Sequence, residues 1–244
     1  MNDQMDGMKI LAEGYVQLVE SWGSDQAIIE AARMSTNKGF EGWGDDDEPG
    51  DERLLGYLYR NKHATPFEMA GVIVEVKAPL FVFREWHRHR TQSYNEMSAR
   101  YVPMPNENYV PTIERIVEGA KTTGNKQAAG TAQLDQAAAE QWLERLEKFY
   151  ADAEQVYADG LACGVPKELA RLAVPVARYS RMRASANLRN WLAFLTLRQS
   201  PKAQWEIRQY ADAVGRIIAS KFPRTWELYQ EGSDTKTHQT SEKS

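Results

Sequence analysis

The sequence has almost no cysteine, no long apolar run and no glycine-rich nucleotide loop. A single cysteine in 244 residues, Cys163, excludes an intrachain disulfide framework. No neighbouring residue supplies it with a base or a cation, so it reads as a packed structural thiol rather than a nucleophile. No stretch of about 18 apolar residues occurs, and no membrane span is expected. The first residues carry acids early and lack an apolar signal core, which makes the cytoplasm the expected compartment. Neither G-x-G-x-x-G nor a Walker loop is present, so the common glycine-based nucleotide folds have no support. The four histidines, His63, His87, His89 and His238, lack the spacing of metal ligands, and no metal is expected. The net charge of −4 gives no global pull toward nucleic acid or acidic membrane. Any site for a polyanion must therefore be a local basic cluster.

What is present is the composition of a globular protein, 42% hydrophobic and 26% charged, with no linker dividing it. One domain is expected over residues 1–230, with a polar disordered tail over 231–244. Residues 15–22 alternate loosely and predict a strand. Ser24 predicts the N-cap of a helix through Ala32, and residues 51–61 predict a second helix after a Gly/Asp-rich loop. The β-branched run Val72 to Lys77 predicts a strand that Pro79 ends. Leu80 to His87 predicts a helix delivering Arg88 onward into a loop. The turn-rich segment 118–133 reads as a loop excursion. A long helix is expected over 134–161, with Leu143, Leu146 and Phe149 on its buried face, stopped by Gly164. A strand over 176–184 and two further helices, carrying Leu188 to Leu195 and Ile207 to Ile218, complete the pattern. The fold class this implies is α+β, helix-rich around a small, mostly antiparallel sheet.

The chemistry concentrates in residues 88–101, RHRTQSYNEMSARY. Arginines at 88, 90 and 100 are permanently charged forks suited to phosphate. Serine hydroxyls and backbone N–H groups complete phosphate binding in such turns. The residues alone leave two readings open: a nucleotide-sized anion site, or an Arg–Glu network in a solvated loop or subunit interface. A non-enzymatic RNA- or nucleotide-binding module using this interleaving of arginine and aromatics is the alternative function.

The same stretch resembles the signature of the flavin-dependent thymidylate synthases. All seven fixed positions match: Arg88, His89, Arg90, Ser93, Asn95, Ser98 and Arg100. The flanks are similar to that family too: Ala31 to Ser35, the H-x-T-P-F-E segment from His63 to Glu68, Val76 to Phe81, A-R-x-x-x-P from Ala170 to Pro175, and the pattern from Asn187 to Arg208.

The resemblance implies that the protein methylates dUMP to dTMP with FAD, taking the carbon from 5,10-methylenetetrahydrofolate and reducing power from NADPH, and releasing tetrahydrofolate. It implies a homotetramer with each site at a subunit junction, and no nucleic-acid or membrane partner. By position, Glu85, Arg88, Glu96, Ser98, Ala99, Arg100, Arg171 and Arg198 would meet dUMP. Ser35, Thr65, Arg88, His89, Arg90, Glu96, Asn187 and Arg189 would meet FAD. Arg198 is the expected catalytic group, its guanidinium stabilising charge that develops on the uracil ring. Three positions depart from the family. Glu85 replaces a frequent glutamine and can donate no hydrogen bond unless protonated, so pairing with an arginine is its other role. Ala193 replaces a polar residue near FAD, and that contact is not carried over. Ala99 replaces a frequent glycine, which suffices where only the backbone is used.

Overall fold

The computed structural model describes residues 7–45, 47–48, 50–121 and 134–241, with the side chains of 120–121 and 233–241 outside the description. Five strands form one antiparallel sheet: β1 (Met8–Ile10), β2 (Gly14–Trp22), β3 (Gly71–Pro79), β4 (Ser93–Glu96) and β5 (Tyr179–Asn187), in the order β1-β2-β3-β5-β4. β3 is central because its alternation puts Val72, Val74, Val76 and Ala78 on one face, all fully buried. Met182, Ala184 and Ala186 of β5 continue that face. The opposite face carries Glu75, Lys77, Arg181 and Arg183, with Arg183 3.3 Å from Glu75.

Helices cover the apolar face. α1 (Asp25–Arg33) begins where Ser24 accepts a hydrogen bond from the Ala27 N–H, the cap expected from its sequence. α2 (Gly50–Arg60) follows the Gly/Asp loop. α3 (Leu80–Trp86) starts directly after β3 and buries Val82, Phe83 and Trp86. α4 (Ile113–Lys121) and α5 (Gln136–Ala162) pack on each other. The short α6 (Lys167–Ala170) precedes β5. α7 (Leu188–Arg198) and α8 (Trp205–Lys221) lie on the sheet, and α9 (Pro223–Ser241) packs on α8 and α2. Trp86, Trp191 and Phe194 form the aromatic centre of this layer, with rings 4.7 to 6.3 Å apart.

Five expectations are corrected. The segment after α3 is no plain loop: Ser93–Glu96 join the sheet as its edge strand, paired with β5. Four polar residues carry no hydrophobic alternation, so nothing in their pattern signalled a strand. The start of the expected excursion, 118–121, is the end of α4, while 122–133 lie outside the described residues. The tail expected to be disordered instead continues the helical backbone of α9 through 231–241, with 242–244 outside the description. On α5 the buried positions are Ala139, Ala153 and Tyr157, whereas Phe149 is exposed and Leu143 and Leu146 half-buried. Ala139, Ala153 and Tyr157 make the inward face of α5, while Trp142, Phe149 and Val156 are exposed. Cys163 caps the end of α5 and is exposed rather than packed.

Candidate active site

The corner between α3 and β4 is built by residues that bind it from below. The Trp86 indole N–H donates to Gln92 Oε1 at 3.0 Å, buried on both sides. The Tyr94 hydroxyl donates to the carbonyl of His89 at 2.7 Å and approaches that of Trp86 at 3.2 Å. Burial pushes the Tyr94 phenol up to about 12, partly offset by the charge of Arg198, so it stays a donor. These bonds hold residues 87–92 as a tight turn with the Arg88 and Arg90 side chains exposed. Neither of those arginines has a carboxylate within ion-pair distance among the described residues. His87 stacks edge-on against Tyr94 at 4.8 Å and His89 against Phe194 at 4.9 Å, so the two histidines face different ways.

Arg198, the last residue of α7, meets this corner across the fold. Its Nε donates to His89 Nε2 at 2.9 Å, its Nη1 to Glu85 Oε2 at 2.5 Å and its Nη2 to the Glu85 carbonyl at 2.6 Å. Only 14% of its side chain is exposed. Because His89 Nε2 accepts, the neutral ring carries its proton on Nδ1. Burial, together with the positive charge of Arg198, pushes the imidazole down to about 4, so it is neutral at physiological pH. Three sequence-predicted residues, Glu85, His89 and Arg198, are thus one hydrogen-bonded unit. Glu85 takes the arginine-pairing role.

A second group gathers Ser98, Ala99, Arg100 and Arg171. Ser98 turns the chain, accepting from Tyr101 and Val102 N–H groups, while its hydroxyl accepts from Arg100 N at 3.3 Å. Arg100 reaches Glu168 at 3.3 Å, and Arg171 Nε donates to the Glu168 carbonyl at 3.2 Å. Lys167 Nζ donates to the Tyr101 carbonyl at 2.9 Å, tying the turn to α6. Glu96 lies on β4 opposite Met182.

A third group surrounds the start of α7. Asn187 ends β5 and caps α7, its side chain accepting from Asn190 N at 3.0 Å. Arg189 pairs with Glu68 at 2.5 Å, on the 3-10 turn that Thr65 opens. Asn190 Nδ2 donates to the Thr91 carbonyl at 3.1 Å and links this group to the corner. Ser35 stands apart on the turn after α1, its hydroxyl bonded to the Ala32 carbonyl at 3.0 Å.

Sequence reasoning missed Gln92, Glu68 and Glu168 as parts of the site. Gln92 occupies a free position of the signature, and Glu168 has no motif around it. Glu68 closes the H-x-T-P-F-E segment and could have been inferred from that. The donor set fits a phosphorylated cofactor: two arginines without acid partners among the described residues, and amide, hydroxyl and guanidinium groups around them. Among the described residues no group of three His, Cys, Asp or Glu side chains could hold a metal. Nor is any described helix long and apolar enough to cross a membrane.

Comparison with known proteins bears on the same residues. Residues 17–224 match the family model described as thymidylate synthase complementing protein. The chain is 40% identical over 222 residues to a protein of Thermus thermophilus named flavin-dependent thymidylate synthase, covering 91% of this chain and 77% of that one. It is 37% identical over 220 residues to the protein of that name from Thermotoga neapolitana, covering 90% and 92%. Among solved structures, the UMP/dUMP methylase PolB from Streptomyces cacaoi bound with 5-Br dUMP superposes with a TM-score of 0.78. That match is 31% identical and covers 92% of this chain and 97% of that one.

Proposed function

The chain belongs to the flavin-dependent thymidylate synthase family, and from that premise we propose that it methylates dUMP to dTMP. In this reading the flavin is FAD, 5,10-methylenetetrahydrofolate is the carbon donor, NADPH the reductant and tetrahydrofolate the second product. The observation that carries it is the Glu85–Arg198–His89 unit standing beside the complete signature.

Arg198 is the catalytic residue. Its guanidinium lies against the uracil ring and stabilises the negative charge that makes C5 nucleophilic. The three hydrogen bonds it already makes fix its plane, so little reorganisation accompanies the reaction. His89, held neutral, would offer its Nδ1–H to the flavin. Arg88 and Arg90 receive the dinucleotide diphosphate, with Ser35, Thr65, Asn187 and Arg189 on the rest of that cofactor. When bound, the flavin supplies the hydride that completes the methyl group. Ser98, Ala99, Arg100 and Arg171 hold the dUMP phosphate, partly through backbone N–H groups, and Glu168 yields Arg100 to it. Glu96 would help hold the nucleotide and the flavin.

The working form is a homotetramer with sites at subunit junctions. α5 supports this: Trp142, Phe149 and Val156 recur every seven residues and are 48%, 54% and 63% exposed, a seam suited to another helix.

The test is an absorbance spectrum of the purified protein followed by addition of dUMP, then turnover. Flavin bands that shift with dUMP, and dTMP formation that needs both methylenetetrahydrofolate and NADPH, are expected. Protein that binds flavin yet never converts dUMP under those conditions would end this reading.

A further inference from the structure

Opposite its exposed apolar side, α5 carries Tyr150, Glu154 and Tyr157, spaced i, i+4 and i+7 so that they share one face. All three serve one stretch of chain, residues 104–109, which runs directly on from the Ser98–Arg100 turn. The Tyr157 hydroxyl accepts from the Met104 N–H at 3.1 Å, and the Tyr150 hydroxyl donates to the Tyr109 carbonyl at 3.1 Å. Glu154 acts through Arg178, the residue just before β5. The Arg178 guanidinium donates to Glu154 Oε2 at 2.6 Å and to the Pro105 carbonyl at 2.8 Å. Its side chain is fully buried, and its Nε has no partner among the described residues. A guanidinium taken wholly out of water is costly unless it is paired, and this one joins helix, sheet and loop at a single point. The backbone completes the clamp: Tyr109 N–H donates to the Ala177 carbonyl and Tyr179 N–H to the Glu107 carbonyl, both at 2.9 Å.

We propose that Arg178 and Tyr157 are positioning residues for the nucleotide phosphate. With Glu154 they fix the downstream end of the Ser98–Arg100 turn, so that its N–H groups and Arg100 converge on one anion. This rests on the function proposed above and adds residues that lie outside the signature and its matched flanks. The turn itself is exposed at Arg100, Tyr101 and Val102. On its upstream side it is tied to the sheet by the Met97 N–H, which donates to the Arg181 carbonyl at 2.8 Å. Downstream, the Val102 N–H that closes the turn stands two positions before the Met104 N–H that Tyr157 holds. Pro103 and Pro105 flank Met104, and each ring locks its own φ and supplies no N–H. Met104 is buried. So short and stiff a link passes the position of its anchor to the turn instead of absorbing it. A turn held at both ends before the ligand arrives loses less freedom on binding.

The test titrates dUMP and deoxyuridine, which differ only in the phosphate, into the FAD-loaded protein and reads the flavin absorbance. Tyr157→Phe keeps the ring and removes the hydroxyl bonded to Met104. It should weaken dUMP about three- to tenfold and leave deoxyuridine unchanged. Glu154→Gln keeps an acceptor but leaves the buried Arg178 charge without its counter-ion, and should act in the same direction. In turnover, KM for dUMP should rise by the same factor, with kcat held within about twofold and KM for the carbon donor unchanged. In an Arg100→Gln background, Tyr157→Phe should cost dUMP less than about twofold, because both residues act on one phosphate. Equal weakening of dUMP and deoxyuridine, or a lower urea midpoint with the preference for dUMP intact, would overturn the proposal. So would a full effect of Tyr157→Phe in the Arg100→Gln background. Wild-type protein that prefers dUMP and loses that preference in the variants, yet never forms dTMP, would sustain the positioning and refute the function.

Discussion

Arg198 and Arg100 each stand beside a glutamate, yet they are held very differently. Arg198 is 14% exposed, with every nitrogen bonded, on a helix packed into the core. Arg100 is 55% exposed and reaches a glutamate itself 53% exposed, between a turn and the four-residue α6. Desolvation strengthens the first arrangement, whereas water screens the second. The same residue types thus give a rigid electrostatic device in one place and a solvent-screened, loosely held pair in the other. The difference suits the roles proposed for them: a reacting ring needs a fixed partner, and an entering phosphate can displace a weakly held one.

The comparison can be broken most severely from beneath. Phe194 is fully buried and touches both Trp86 and His89. Phe194→Ala should cost about 3–5 kcal/mol of stability, measured by denaturant unfolding, and should loosen only the Arg198 unit. Arg198→Ala should lower kcat by roughly 10²–10³-fold with the fold intact by circular dichroism. It should also raise the His89 pKa from about 4, read by NMR titration of the ring, because one cause of the depression is gone.

The sign of the His89 contribution follows from that depression. Between its ordinary value of 6.5 and about 4, the unfolded chain binds a proton that the folded chain refuses. Its contribution to stability is complete above that window and is lost as pH falls through it. A urea midpoint that fell over this range in the wild type but less in His89→Gln would bear this out.

Smaller effects sharpen the contrast. Glu168→Gln should lower KM for dUMP about two- to fivefold by releasing Arg100, with kcat unchanged. A rise in KM would mean that Glu168 positions Arg100 rather than competing for it. Glu85→Gln should keep kcat within about threefold, because the bond to the Glu85 carbonyl remains and glutamine still offers an oxygen. A large gain would show that the carboxylate compromises the site.

The legible parts of the fold were those with local signals. β3 showed its β-branched alternation, α1 its serine cap and α7 its apolar spacing, and the structure has all three. β4 was hidden because an edge strand of polar residues is specified by its neighbour β5, not by its own pattern. The outward face of α5 was misread for a related reason. Leu143, Leu146 and Phe149 have the spacing of a buried stripe, and spacing alone does not say whether the same chain or another covers it.

By itself the sequence determined the inventory: seven signature residues, the absence of a framework of cysteines or a glycine loop, and the helix and strand signals of the core. Those depend on residue type and on neighbours a few positions away. Tertiary structure alone decided that Glu85 holds Arg198 across 113 positions, that His89 accepts from it and is neutral, and that Arg100 meets Glu168. Contacts between distant segments depend on how the sheet brings its edges and helices together, and no local pattern encodes them.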